Sequence, residues 1–225
     1  AATVISQAAM TAFLILYAVA KHPLLRFCPG GRLLYGNALE QGFRLGIPPM
    51  IQSSVSAFGS LLLQNFMNGF GTQTVAAITT AYRVDTIILL PIINLGSGIS
   101  TIVARNHGAG EEGRAKRVLA VGTAMMAAVS LFLTILVIPT GGRVIAMFGV
   151  GAGAVGIGQD FFQRIACFYV VFGLATAVRG YLEGIGDVLY SSIAGIVSLI
   201  SRILASYGMA AVFGNMVIAY AEAFS

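Results

Sequence analysis

From residue 74 to residue 104 the chain carries only two charged side chains, Arg83 and Asp85, in a run dominated by Ile, Leu, Val, Ala and Gly. A bilayer-spanning helix needs about 20 predominantly apolar residues, so this run is long enough to cross. Comparable runs cover 1–20, 46–68, 115–139, 161–178 and 188–213, and a seventh opens near Asn215. Prolines and glycines punctuate them: Pro48-Pro49 opens the second in its first turn, and Pro139-Thr140-Gly141-Gly142 ends the fourth. The runs are long and lack strict alternation, which favours helices over barrel strands. With 57% hydrophobic and 9% charged residues, the chain cannot cover a water-facing surface; a soluble domain carries about 25% charged residues. The expected class is an all-α integral membrane protein.

The net charge of +5 is distributed by connection. Connection 21–44 holds Lys21, Arg26, Arg32 and Arg44; 105–117 holds Arg105, Arg114, Lys116 and Arg117; 179–187 adds Arg179. The alternate connections contribute only Arg143, so the positive-inside rule places the basic ones in the cytoplasm. No Arg/Lys stripe with interleaved aromatics supports nucleic-acid binding.

Little points to catalysis. Cys28 and Cys167 lack metal-ligand spacing and read as free thiols. His22 and His107 flank cytoplasmic connections, where they are solvated or touch headgroups. Gly151, Gly153 and Gly156 match GxGxxG, but between two spans rather than in a βαβ unit, and read as a flexible outer loop. No catalytic set, metal site, cofactor site or P-loop appears. No signal peptide is visible, and both ends look cut from something longer.

Polar residues inside the spans carry the functional signal. Ser53, Ser56, Ser60, Gln64 and Asn68 follow helical spacing, with Gln52 beside them. They form either a small-residue seam or one wall of a polar cavity. Ser191, Gly195, Ser198 and Arg202 form a comparable stripe. Arg202 lies roughly 20 Å into its span, so it faces the protein interior or snorkels outward. Arg83 lies roughly 31 Å from Ala104, near the outer edge of the hydrocarbon. Residues two apart point about 200° away from each other, so Arg83 and Asp85 are poor mutual partners. Each is an interfacial anchor or part of an outer gate.

Residues 43–117, FRLGIPPMIQSSV through PIINLGSGISTIVARNHGAGEEGRAKR, and RGYLEGIGD at 179–187 resemble the multidrug and toxic compound extrusion (MATE) transporters in order and spacing. The resemblance implies twelve spans in two six-helix lobes. This chain would be the C-terminal lobe: 1–22 the end of span six, 23–45 a cytoplasmic connection, and 46–225 spans seven to eleven with the start of twelve. It implies alternating access at the cell membrane, exporting drugs or other amphiphilic or cationic compounds against inward Na⁺ or H⁺. Implied partners are small-molecule substrates, the bilayer and the absent N-terminal lobe, with no obligate partner protein. Some branches carry a Glu in span seven and an Asp in span ten. These positions fall on Ser56 and near Phe168, so the coupling ion is expected in the absent lobe. The alternatives are a lipid-linked sugar flippase or oligosaccharide exporter of the same superfamily, and a non-transporting scaffold.

Overall fold

The computed structural model describes residues 2–21, 35–149, 151–213, 217, 220 and 221. The described residues form seven α-helices and one 3-10 turn, with no strand among them. They fall into two compact units, Ala1–Gly42 and Phe43–Ser225. In the first unit, α1 (Ala2–Lys21) is apolar on every face, and Val4, Ile5, Leu14 and Leu16 are all exposed. A helix of this kind is at home in lipid.

α2 (Gly36–Asn68) begins in the first unit, and its residues from Phe43 onward belong to the second. Residues 36–45, expected as connection, are therefore helical; 22–34, with His22, Arg26, Cys28 and Arg32, lie outside the described residues. Pro48 and Pro49 sit well inside α2 instead of opening it. Proline's fixed φ fits a helix, and the two carbonyls it leaves without partners, Arg44 and Leu45, are at exposed positions. Five described helical segments are long and apolar enough to cross a membrane: Thr3–Lys21, Thr74–Gly108, Glu112–Ala146, Val155–Gly184 and Val188–Met209. α2 is not among them, although a span was expected there; its Ser, Gln and Asn residues make it too polar.

The second unit is built around α3 (Thr72–Gly108), α4 (Glu112–Ala146), α5 (Ala152–Ile165) and α6 (Tyr169–Gly184). At 1.5 Å per residue α3 is about 55 Å long, well beyond the hydrocarbon thickness. The buried stripe of α4 is Ala115, Gly122, Met126, Ser130, Leu133, Val137, Gly141 and Ile145, a three-to-four-residue period set by one core-facing side. α3 and α6 approach at backbone distance: a Cβ on Gly180 would lie 2.6 Å from the Gly96 carbonyl oxygen, and one on Gly184 2.7 Å from that of Ser100. α7 (Val188–Phe213) packs on α6 and runs alongside α2, where Phe66 meets Tyr207 with ring centroids 4.7 Å apart.

Two departures from the expected boundaries share one cause. α4 continues through Pro139 and Gly141-Gly142 to Ala146, where a stop was expected. Here the amide of Gln159 on α5 enters the helix ladder. The Gly142 N–H donates to Gln159 Oε1, and Gln159 Nε2 donates to the Ile138 carbonyl at 2.9 Å. Those two backbone groups would normally bond each other; a side chain inserted into the ladder keeps both satisfied. Segment 152–160, expected as outer loop, is accordingly helical, and Gly151, Gly153 and Gly156 lie at the start of α5. The second break is the 3-10 turn Ala166–Phe168 inside the segment expected as an uninterrupted span, 161–178. The Ala166 carbonyl accepts from Thr134 Oγ1 of α4 at 2.8 Å.

Candidate functional site: a polar cluster and a cationic groove on α3

α3 presents two distinct polar faces. Its inward face buries Ile78, Ala81, Val84 and Ile92, and with them Asp85, which is only 5% exposed. Asp85 accepts a hydrogen bond from Tyr169 Oη at 2.5 Å. Tyr169 is the first residue of α6, immediately after the 3-10 turn. One turn before Asp85, Tyr82 accepts from Arg202 Nη2 of α7 at 2.8 Å, and the guanidinium lies 5.5 Å from the Tyr82 ring centroid. The i, i+3 spacing of Tyr82 and Asp85 puts both on one face, so α3, α6 and α7 meet in a polar cluster within an apolar core. Asp85 is the only buried carboxylate among the described residues. Arg202 thus engages the lobe interior, the first of its two expected placements.

Arg83 points the other way. It is exposed and, with Asn68, Gly71, Thr72, Val75, Ala76, Thr79 and Thr80, lines an open groove of about 590 Å³. Arg83 and Asp85 are therefore not partners, as their spacing requires. At the α2–α3 turn Gly71 has φ +87°, a conformation that favours glycine and lets α3 start beside the end of α2.

On α2 the buried stripe is Gly59, Leu63 and Met67. Ser53, Ser60 and Asn68 are exposed, while Ser56 and Gln64 are half-buried. The close approach to α7 is made by Gly59 against Leu199, not by the serines. Gln52 leaves the stripe: its Oε1 accepts from Arg179 Nη2 at 3.1 Å, and Gly195 gives its amide room. Arg179 also pairs with Glu183 at 2.9 Å, and Ser191 Oγ donates to Glu183 at 2.8 Å. This network ties α2, α6 and α7 at one end. Ser198 is half-buried on α7. The structure joins Asn68 with Arg83 and Gln52 with Arg179, but it does not gather all the polar candidates into one site.

Tyr169, Gln159 and Glu183 were not among the sequence candidates, and Tyr82 was open to either pocket-lining or lipid-facing placement. The Arg179/Glu183 i, i+4 spacing was a usable signal, whereas a Tyr at a helix break carries none. Among the described residues no group of three or more His, Cys, Asp or Glu could hold a metal ion, and Cys167 is exposed and free.

Helices long and apolar enough to cross a bilayer define a multi-pass membrane protein, and the 3-10 turn between α5 and α6 lies beside a buried carboxylate. The MatE family model matches residues 48–208, and the chain belongs to that family. It is 28% identical over 198 residues to the probable multidrug resistance protein YpnP of Bacillus subtilis, covering 87% of this chain and 44% of that protein. It is 26% identical to the probable multidrug resistance protein YoeA of the same organism, covering 88% and 43%. The fold matches a MATE crystallised in complex with MaD5, with TM-score 0.78, 24% identity, and coverage of 88% of this chain and 46% of that one. The chain thus spans less than half the length of these relatives. The match agrees with the expected partial lobe.

Proposed function

We propose that this chain forms half of a secondary active exporter that moves drugs or other amphiphiles out of the cell by alternating access, driven by inward Na⁺ or H⁺. Family membership and the multidrug-resistance relatives support export. The observation that carries the reading is α2 itself: a long helix beside apolar spans whose exposed side bears Ser53, Ser60 and Asn68. Polar side chains at membrane depth belong where water reaches them. The basic connections lie in the cytoplasm and the second lobe completes the cavity wall.

The main coupling site lies in the other half, and Asp85 is a second carboxylate that this half contributes to the response. The resemblance placed no carboxylate at Ser56 or near Phe168. Asp85 supplies one from α3 instead, held by Tyr169, which directly follows the break at Ala166–Phe168. A buried carboxylate in a span is a functional group by default, and broken helices are where transporters place ion sites.

Single cysteines at Ser53, Ser60 and Asn68 test the cavity. In the membrane-embedded transporter containing this chain, a membrane-impermeant maleimide should label all three, while cysteine at the buried Leu63 stays unlabelled. Protection of the three positions by lipid, with labelling no faster than at Leu63, would support the scaffold reading.

A further inference from the structure

The donors lining the α2–α3 groove are uncommitted. Thr86, Thr101, Thr140 and Thr176 each return the hydroxyl to the carbonyl four residues back, the usual solution for threonine in an apolar helix. Thr72, Thr79 and Thr80 make no such bond, and Arg83 has no hydrogen bond or ion pair among the described residues. Asn68 accepts one long contact from Gln64, at 3.5 Å, which leaves its own N–H groups unused. Thr72, Ala76, Thr79, Thr80 and Arg83 follow helical spacing, so the hydroxyls and the guanidinium share one face of α3, with the Asn68 amide at its end. Among the described residues, the groove lining contains no carboxylate. It holds one permanent cation, three hydroxyls and an amide, beside the small apolar surface of Val75 and Ala76. That combination complements an anion carried on an apolar tail, because guanidinium forms paired, charge-assisted hydrogen bonds with carboxylate or phosphate.

We propose that this groove binds the anionic group, carboxylate or phosphate, of an amphiphile, with Arg83 as the charge partner and Thr79, Thr80 and Asn68 as donors. As cargo recognition this rests on the exporter reading, and it extends the cargo from cationic drugs to anionic or zwitterionic amphiphiles. The shared chemistry fits either a transported carboxylate or the phosphate of a lipid headgroup.

The test places a cysteine in the groove, Ala76→Cys, in the otherwise cysteine-free transporter containing this chain. The transporter is reconstituted in phosphatidylcholine vesicles, and maleimide labelling is timed. Decanoate should slow labelling and decyltrimethylammonium should not. Arg83→Gln should raise the protecting concentration of decanoate about tenfold or more, the loss expected for a charge-assisted hydrogen bond. If protection appears only when phosphatidylglycerol is added, the anionic group is a lipid's and the site stands. Equal protection by decyltrimethylammonium, or no effect of Arg83→Gln, would overturn the proposal. So would a cysteine that is unreactive without any ligand, because the rest of the transporter then fills the groove. Ethidium efflux by the same protein separates the two readings. Arg83-dependent protection without efflux removes the exporter and keeps the site, and efflux without protection does the reverse.

Discussion

Gly180→Val is expected to be the most damaging single substitution in the lobe, lowering stability by about 3 kcal/mol or more and sharply reducing folded transporter in the membrane. A Cβ at this position would lie 2.6 Å from the Gly96 carbonyl oxygen and 3.3 Å from its carbonyl carbon, so the added group meets backbone, not a movable side chain. Relief requires α3 and α6 to separate, and these two helices also share the Gly184 approach and carry the Asp85–Tyr169 bond. Small residues let helix backbones approach in membranes, where dispersion contacts replace the hydrophobic effect as the driving force. Gly98→Ala on α3 is the matched control, because a Cβ there meets nothing within 4 Å. It should be neutral or slightly stabilising through helix propensity. Thermal unfolding of the purified transporter in detergent, with membrane abundance alongside, reads both variants. Equal behaviour would contradict the α3–α6 packing described here.

Asp85→Asn is expected to leave abundance intact and reduce efflux by about tenfold or more, the scale of a typical coupling free energy. Asparagine keeps the shape and an oxygen that accepts from Tyr169, so the architectural part of the interaction survives. What it loses is the charge. Asp85→Ala should in addition cost about 1–3 kcal/mol, because the Tyr169 hydroxyl loses its acceptor in a buried site. Tyr82, which accepts from Arg202 of α7, lies one turn away on the same face of α3, so Tyr82→Phe measured in parallel separates a general weakening of the cluster from loss of the carboxylate. Normal efflux by Asp85→Asn at full abundance would reduce Asp85 to a structural bolt between α3 and α6.

The helical membrane class was legible because it depends on composition and run length, which no tertiary contact can reverse. The starts of α3 and α7 followed from apolar runs opened by turn residues. Boundaries failed where a distant side chain changed the local rule. Pro139 and the glycines after it read as a stop because Gln159 is invisible to local sequence logic, yet it satisfies the Gly142 N–H and the Ile138 carbonyl and lets α4 continue. The break at Ala166–Phe168 was illegible for the same reason, since Thr134 on another helix accommodates it. Within the candidate site, the divergence of Arg83 and Asp85 followed from helix geometry alone. The partner of Asp85 did not, because Tyr169 is distant in sequence and aromatic residues are common at lipid boundaries. The polar stripe of α2 was visible as a pattern, but only packing showed that Gly59 makes the seam and that Ser53, Ser60 and Asn68 remain on the open side.

The central claim, that this lobe belongs to an ion-driven exporter, is tested most directly by transport in sealed proteoliposomes. The transporter containing this chain is reconstituted without ATP, and a fluorescent cationic drug is followed while a Na⁺ or H⁺ gradient is imposed. Drug should move against its own gradient, opposite in direction to the ion, and stop when an ionophore collapses that gradient. Drug movement that is indifferent to both gradients would contradict it.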